Sequence, residues 1–338
     1  MTRTRCGSAV RPAFALLDLL TLLALATIVV ALLSVMGTRS RHLGQLGESM
    51  ANLKFYASGS QSYGADHADR FWSFSWRPNN VPADADPDLR ASALGSDTAA
   101  AAAQAIQILR RRANRPDIQI VTNWIPHILY SHLVLAEHMN AELPARFAVA
   151  PGDRERLRWA NDPAGFDRGI YTPNPGTGET AKRWPYSSSY ELGPAFSGPD
   201  SGQNAISQSN QSNTYIVPAT PNVLGTRLLS EVVHPSQKAM VWEQYSRYHA
   251  PRAAFFMYNE ARCPILFVDG SVRVRVTGLG NRGWNPAQPS STFPITMSHT
   301  TMAWESGASL PTTTVQGNYR YTRQGLRGRD FDGAEVMP

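Results

Sequence analysis

Cysteine is nearly missing from this chain: two residues in 338, Cys6 close to the start and Cys263 far downstream. A head domain that excludes the first segment therefore has no internal disulfide, whatever the redox state of its compartment. Cys263 precedes an apolar run and reads as a small buried hydrophobe, not a nucleophile. Metal-ligand spacing is missing as well. His127, His132 and His138 share a predicted helix, but intervals of five and six residues do not stack them on one face as i, i+4 would. No G-x-S-x-G elbow, phosphate-binding loop or H-E-x-x-H motif occurs. Gly278-x-Gly280-x-x-Gly283 has the form of a dinucleotide loop, but Trp284-Asn285-Pro286 stands where its helix should begin. There is no repeat period. Charged residues are sparse, at 17%, while Gly, Pro, Ser, Thr and Asn are frequent, which is the composition of a loop-rich globular domain. Net charge is +6, and Arg3, Arg5 and Arg11 supply three of those charges, so the remainder carries no nucleic-acid footprint and no nucleic-acid partner is expected.

What is present stands out against this. Residues 13–36 (AFALLDLLTLLALATIVVALLSVM) form an apolar run from Phe14 broken by one acid, Asp18. A run of roughly 20 apolar residues is long enough to cross a bilayer core about 30 Å thick. The leader before it, Met1 to Ala13, holds three arginines and no acid, which favours a cytoplasmic N-terminus. A secretory signal is the competing reading, but its apolar part runs about 7–15 residues and a small-x-small cut site is not found after the run. A carboxylate within such a segment asks for a partner, or else reaches headgroups from near the helix end. Residues 38–57 place Leu43, Leu46, Met50 and Leu53 at near-helical spacing, so the helix is expected to continue to Ala57, roughly 65 Å from Phe14, with Ser58-Gly59-Ser60 as the stop.

Ala13-Phe14-Ala15-Leu16-Leu17-Asp18-Leu19-Leu20 resembles the processing site of type IV pilins and type II secretion pseudopilins, which reads G-F-T-L-I-E. The resemblance implies cleavage between Ala13 and Phe14 by a prepilin peptidase and methylation of Phe14. It implies that Asp18 neutralises the N-terminal ammonium of a neighbouring subunit, an ion pair that makes a buried acid tolerable and sets axial register. Two positions depart from the pattern: Ala13 stands at the glycine and Asp18 at the glutamate. Asn52-Leu53-Lys54 and Tyr63-Gly64-Ala65-Asp66 extend the likeness to pilin-like stems.

In the head, helices are expected at 99–113, capped by Asp97 or Thr98, and at 125–141. Residues 78–87 and 172–212 read as long surface loops. Strands are expected at 239–243, 264–268 and 271–276. The last two flank Asp269-Gly270, a two-residue hairpin signal in which both residues supply positive φ. Alternation of Val272, Val274 and Val276 with Arg273 and Arg275 predicts one buried and one wet, basic face. Pro264 to Val272 (PILFVDGSV) resembles the "FxDGSV" ending of a pilin-like family of planctomycete-type bacteria that carries an H-x9-DG motif, with Asn259 here at the histidine position. Asp330 and Asp332, in a C-terminal acidic turn, are candidate calcium ligands, since calcium takes oxygen donors from flexible loops; no other cofactor is expected.

The reading is thus an α+β protein in which a long N-terminal transmembrane and stem helix packs on an antiparallel β-sheet head. Its parts are a leader at 1–13, a helix at 14–60 and an exported head at 61–338. The expected role is a pseudopilin or minor-pilin-like structural component of a type II secretion or type IV pilus-like assembly, single-pass in the inner membrane with the head periplasmic or extracellular, and with prepilin peptidase, other pilin-like subunits and membrane lipid as partners. A membrane-tethered exported enzyme or ligand-binding domain is the alternative.

Overall fold

The computed structural model describes residues 16–250, 252–305 and 312–337. The chain divides into two units, Met1–Gly44 and Gln45–Pro338. One helix, α1 (Leu16–Asp66), contributes to both. In the first unit its described apolar side chains, from Leu19 to Met36, are exposed. The expected transmembrane helix is corrected here: among the described residues no helix is long and apolar enough to cross a membrane. Arg39 and Arg41 follow Met36.

The second unit is α+β. Its helices are the last part of α1, α2 (Pro87–Ala93), α3 (Asp97–Arg112), α4 (His132–His138), α5 (Arg154–Asn161) and α6 (Pro163–Asp167). Its strands are β1 (Tyr190–Leu192), β2 (Ser207–Gln208), β3 (Tyr215–Ile216), β4 (Ala239–Glu243), β5 (Tyr245–Ser246), β6 (Ala254–Phe255), β7 (Arg262–Phe267), β8 (Val272–Val276), β9 (Thr296–His299) and β10 (Thr313–Gln316). Four of them form an antiparallel sheet in the order β1-β4-β7-β8; the others make two-stranded ribbons. Strands β1 and β4, and β7 from Cys263 on, are buried on both faces, while β8 is half-buried. Along β7, Cys263, Ile265 and Phe267 join Trp242, Phe256, Tyr319 and Phe331 on one side, while Leu266 turns to the other, where Leu53 and Tyr56 of α1 lie with Phe71, Trp72 and the alanines of α3. That is the two-residue period of a pleated strand.

α1 does not stop at Ser58-Gly59-Ser60. A Cβ on Gly59 would come within 2.5 Å of Met139 Sδ and 3.0 Å of the Leu135 methyls, so this glycine serves close packing, not termination. The helix ends at Asp66, where Ala68 and Asp69 take positive φ. α3 begins two residues earlier than expected because Ser96 caps it, accepting from Ala99 N. The helix expected at 125–141 is confined to His132–His138, with turns before it. The stretch 172–212 is a surface loop only in part: residues 172–180 and 199–204 are exposed or half-buried, but between them lie β1 and the fully buried Ser187, Ser188 and Ser189.

The β7–β8 connection also differs in type. Phe267 O accepts from Gly270 N at 2.9 Å and Phe267 N donates to Ser271 O at 2.9 Å, giving a three-residue loop. Only Gly270 has positive φ, at 80°. Asp269 instead accepts from Ser271 N at 2.9 Å. The two faces of β8 do not separate into buried and wet: its valines and arginines are all half-buried, and the arginines are engaged at the surface. Arg273 and Arg275 both pair with Asp332, and the Arg273 guanidinium lies 3.9 Å from the Phe267 ring centroid.

Candidate functional site

Charged residues are scarce in this sequence, yet several are buried together. α5 carries Arg156, and its cap Asp153 accepts from Arg156 N at 3.3 Å. Beyond β4, Arg247 donates 2.7 Å to Glu243 and 2.8 Å to Asp153. Arg156 Nη1 donates 2.7 Å to the same Asp153 oxygen and lies 3.0 Å from Glu305 Oε1. Ser49 of α1 donates 2.8 Å to Glu243, and Ser189 donates 2.8 Å to Asp153. Three carboxylates and two guanidiniums thus share one water-poor interior. Burial would raise the Asp153 carboxyl, but Arg247 and Arg156 outweigh it and hold the group below its usual range. For Glu305 burial wins over Arg156 and raises the carboxyl, as it does for Glu243 over Arg247.

A second polar group adjoins it. Arg320 pairs with Glu191, which also accepts 2.8 Å from the Tyr215 hydroxyl and 2.9 Å from Gln244 Nε2. The Ser212 hydroxyl lies 2.7 Å from His299 Nδ1, and burial, helped by Arg320, pulls the His299 ring down to about 4.

These groups border a cleft. One cavity of about 120 Å³ is lined by Arg156, Glu305, Gln244, Ser212 and His299 on its polar side and by Trp184, Trp304, Tyr245, Phe255 and Met302 on its apolar side. A neighbouring cavity of about 220 Å³ adds Trp124, Tyr130, Arg183 and Thr214, and the two share Ile128, Leu129, Trp184 and Asn213. The Trp184 and Trp304 ring centroids are 5.2 Å apart. The Arg156 guanidinium sits 4.9 Å from the Trp304 ring, and that of Arg183 5.1 Å from Trp124. Two nitrogens of lining residues, Arg156 Nη2 and His299 Nε2, are themselves shut off from the cavity and have no hydrogen-bond partner among the described residues. A concave, largely aromatic pocket with a few converging polar groups is the usual form of a small-molecule site.

The residues singled out from sequence lie elsewhere. Ala13 and Phe14 fall outside the described residues; Asp18 lies on α1, but its side chain is outside the description. Asp269 and Gly270 make the β7–β8 turn, and Gly270 O accepts 2.7 Å from Lys54 of α1. Asp330 is buried and sits 3.2 Å from Lys238, while Asp332 takes the two β8 arginines, so each candidate calcium ligand already has a cation. Among the described residues no group of three or more His, Cys, Asp or Glu could hold a metal. His127, His132 and His138 lie apart, against Phe74, Phe147 and Tyr63 respectively. The basic run Arg110–Arg112 is partly engaged: Arg110 bridges Asp86 and Asp88 at 2.8 and 2.9 Å.

Sequence reading missed the cleft. Trp184 belongs to a 3₁₀ segment (Glu179–Tyr186), Arg156 to α5, and Trp304 and Glu305 to the chain after β9. No motif spacing links them. The only available signal was the presence of Arg, Glu and Trp in a head otherwise poor in charge. Comparison of the chain with family models, with curated proteins and with solved structures found no match.

Proposed function

We propose that this chain is a pseudopilin- or minor-pilin-like component of a type II secretion or type IV pilus-like assembly, acting by association and not by catalysis. Its partners are other pilin-like subunits, and prepilin peptidase acts between Ala13 and Phe14. One observation supports this reading above the rest. Leu19, Leu20, Leu22, Leu23, Leu25, Ile28, Val29, Val30, Leu33 and Met36 are each more than half exposed on one helix. Soluble monomers rarely leave so much contiguous apolar surface uncovered. Covering four such side chains is worth on the order of 6–12 kcal/mol, enough to drive helix association.

The test is oxidative cross-linking of the full chain carrying Leu25→Cys in a Cys6→Ser background. A disulfide-linked dimer that disappears on adding Leu22→Arg is expected. A species that stays monomeric at every concentration and only partitions into vesicles overturns the proposal. Mass spectrometry of the mature N-terminus tests the processing step: methylated Phe14 supports it, and intact Met1 removes it.

A second reading concerns the head by itself. The aromatic cleft, with Ser212, Asn213, Gln244 and Thr300 among its polar lining, supports a ligand-binding role that is compatible with assembly.

A further inference from the structure

We propose that Lys238 and Asp330 condense into an intramolecular isopeptide bond, an amide from Nζ to Cγ that fastens the C-terminal segment to the start of β4. The bond needs neither a ligand in the cleft nor a second copy of the chain, so it stands apart from both readings above.

The choice of residue is the first observation. The buried carboxylates of Asp153, Glu191, Glu243 and Glu305 are all paired with arginine. Arginine suits such places, because its guanidinium is weakly hydrated and stays charged. Asp330 is treated differently. Of the 32 lysines and arginines in the chain, only Lys54, Lys182 and Lys238 are lysines. Lys54 is exposed, and Lys182 bridges Asp117 and Glu179, both of which are more than 40% exposed. Lys238 is instead 1% exposed and sits beside Asp330, also 1% exposed. For an ion pair alone, a strongly hydrated ammonium is the poorer cation to bury. It has one property that arginine lacks: it can give up a proton and become a nucleophile.

The geometry is the second. Lys238 Nζ stands 3.2 Å from Asp330 Oδ2. That oxygen accepts 2.8 Å from Ala239 N, a fixed backbone donor of the kind that holds negative charge developing on a carbonyl oxygen. Nζ donates to the Thr322 hydroxyl, and the Thr322 hydroxyl donates to Asp330 Oδ1. One hydroxyl thus joins the amine to the oxygen that has to leave. The main chain at Asp330 is pinned as well. Its N–H and that of Phe331 donate to Gln237 O at 3.0 and 3.2 Å, and its carbonyl accepts 2.7 Å from Asn281 N. Amine and carboxyl are therefore held together by the fold, which replaces an encounter in solution. Burial also pulls the Lys238 amine down and pushes the Asp330 carboxyl up, each against the attraction of the other, which favours the neutral amine and acid.

The step balances without any co-reactant. One proton passes from the ammonium through Thr322 to Oδ1, leaving an amine and a carboxylic acid. The Nζ lone pair forms the bond to Cγ, and the charge that builds on Oδ2 is held by the Ala239 N–H. A second proton follows the same route to Oδ1. The Cγ–Oδ1 bond then breaks with its electron pair, and Oδ1 leaves as water. Nothing is oxidised or reduced.

The test is mass spectrometry of tryptic peptides from the full chain, which reads the bond whatever has happened at the N-terminus. Trypsin cannot cut after an acylated lysine. The expected species joins residues 228–247 to residues 330–338 and weighs one water less than the two together. Lys238→Arg keeps a cation beside Asp330, which guards against a variant that fails to fold, and should release 330–338 as a separate peptide. In pulse-labelled chain, Thr322→Val should slow the appearance of the joined species by about tenfold or more. Cleavage after Lys238 with 330–338 free, after prolonged incubation of the folded chain, overturns the proposal. So does a loss of water placed at Asp269-Gly270 or Asp332-Gly333, where succinimide formation gives the same mass change. A joined species in Lys238→Arg overturns it too, and an unchanged rate in Thr322→Val overturns the proton route.

Discussion

Arg320 holds Glu191 through two nitrogens, Nε and Nη2, the latter at 2.7 Å, and neither side chain has any exposure. Removing one partner strands the other charge in an apolar interior. Arg320→Met is therefore expected to cost about 3–5 kcal/mol of stability in urea denaturation. The double variant Arg320→Met/Glu191→Leu should recover a large part of that loss, because it removes both charges together.

Gly59 is a contact surface. Gly59→Ala removes a helix-weakening residue, which by itself would stabilise by up to about 1 kcal/mol. The added methyl, however, meets Met139 Sδ at 2.5 Å and Leu135 at 3.0 Å. We expect a net loss of about 1–3 kcal/mol. The loss should be smaller in a Met139→Ala background, as measured by a double-mutant cycle.

The pH dependence of stability should carry a signature of His127. Its two ring nitrogens are buried without a hydrogen-bond partner among the described residues, and burial, reinforced by Arg77 and opposed by Asp97, pulls the ring down to about 4. The unfolded ring takes up its proton near 6.5, so between about pH 6.5 and 4 the unfolded state binds the proton and the folded state refuses it. Stability is lost as pH falls through that window, by about 2 kcal/mol at pH 5 from this group alone. His127→Leu should flatten the melting-temperature profile between pH 7 and pH 5. An unchanged slope would show that the ring is not held neutral.

Elements with a clear hydrophobic pattern were legible before the structure. Ala239–Glu243 is strand β4 as read, and the Val–Arg alternation marks β8. The sequence misled where polar residues are buried. Ser187, Ser188 and Ser189 lie in a stretch of Pro, Gly, Ser and Asn and read as solvated. Their hydroxyls are instead satisfied inside, by Trp184 O, Ala148 O and Asp153 respectively. Buried hydroxyls with internal partners leave no mark on hydropathy. The cleft was illegible for a related reason: Arg156, Trp184 and Trp304 meet only through tertiary contacts, and no local period reports that. Helix ends suffered from glycine's two uses. Gly59 reads as punctuation but serves close approach, while Gly270 does serve a turn.

Among the described residues, the order β1-β4-β7-β8 leaves β8 joined to a neighbour on one side only. An open strand flank is ordinarily a template onto which another chain can add its own backbone ladder. Here the flank is five residues long, carries Arg273 and Arg275, and both of those cations are drawn to Asp332. The opposite flank, β1, offers only three residues. Short and guanidinium-bearing borders of this kind discourage strand addition. Two copies of this unit that meet at these borders are therefore expected not to join their sheets.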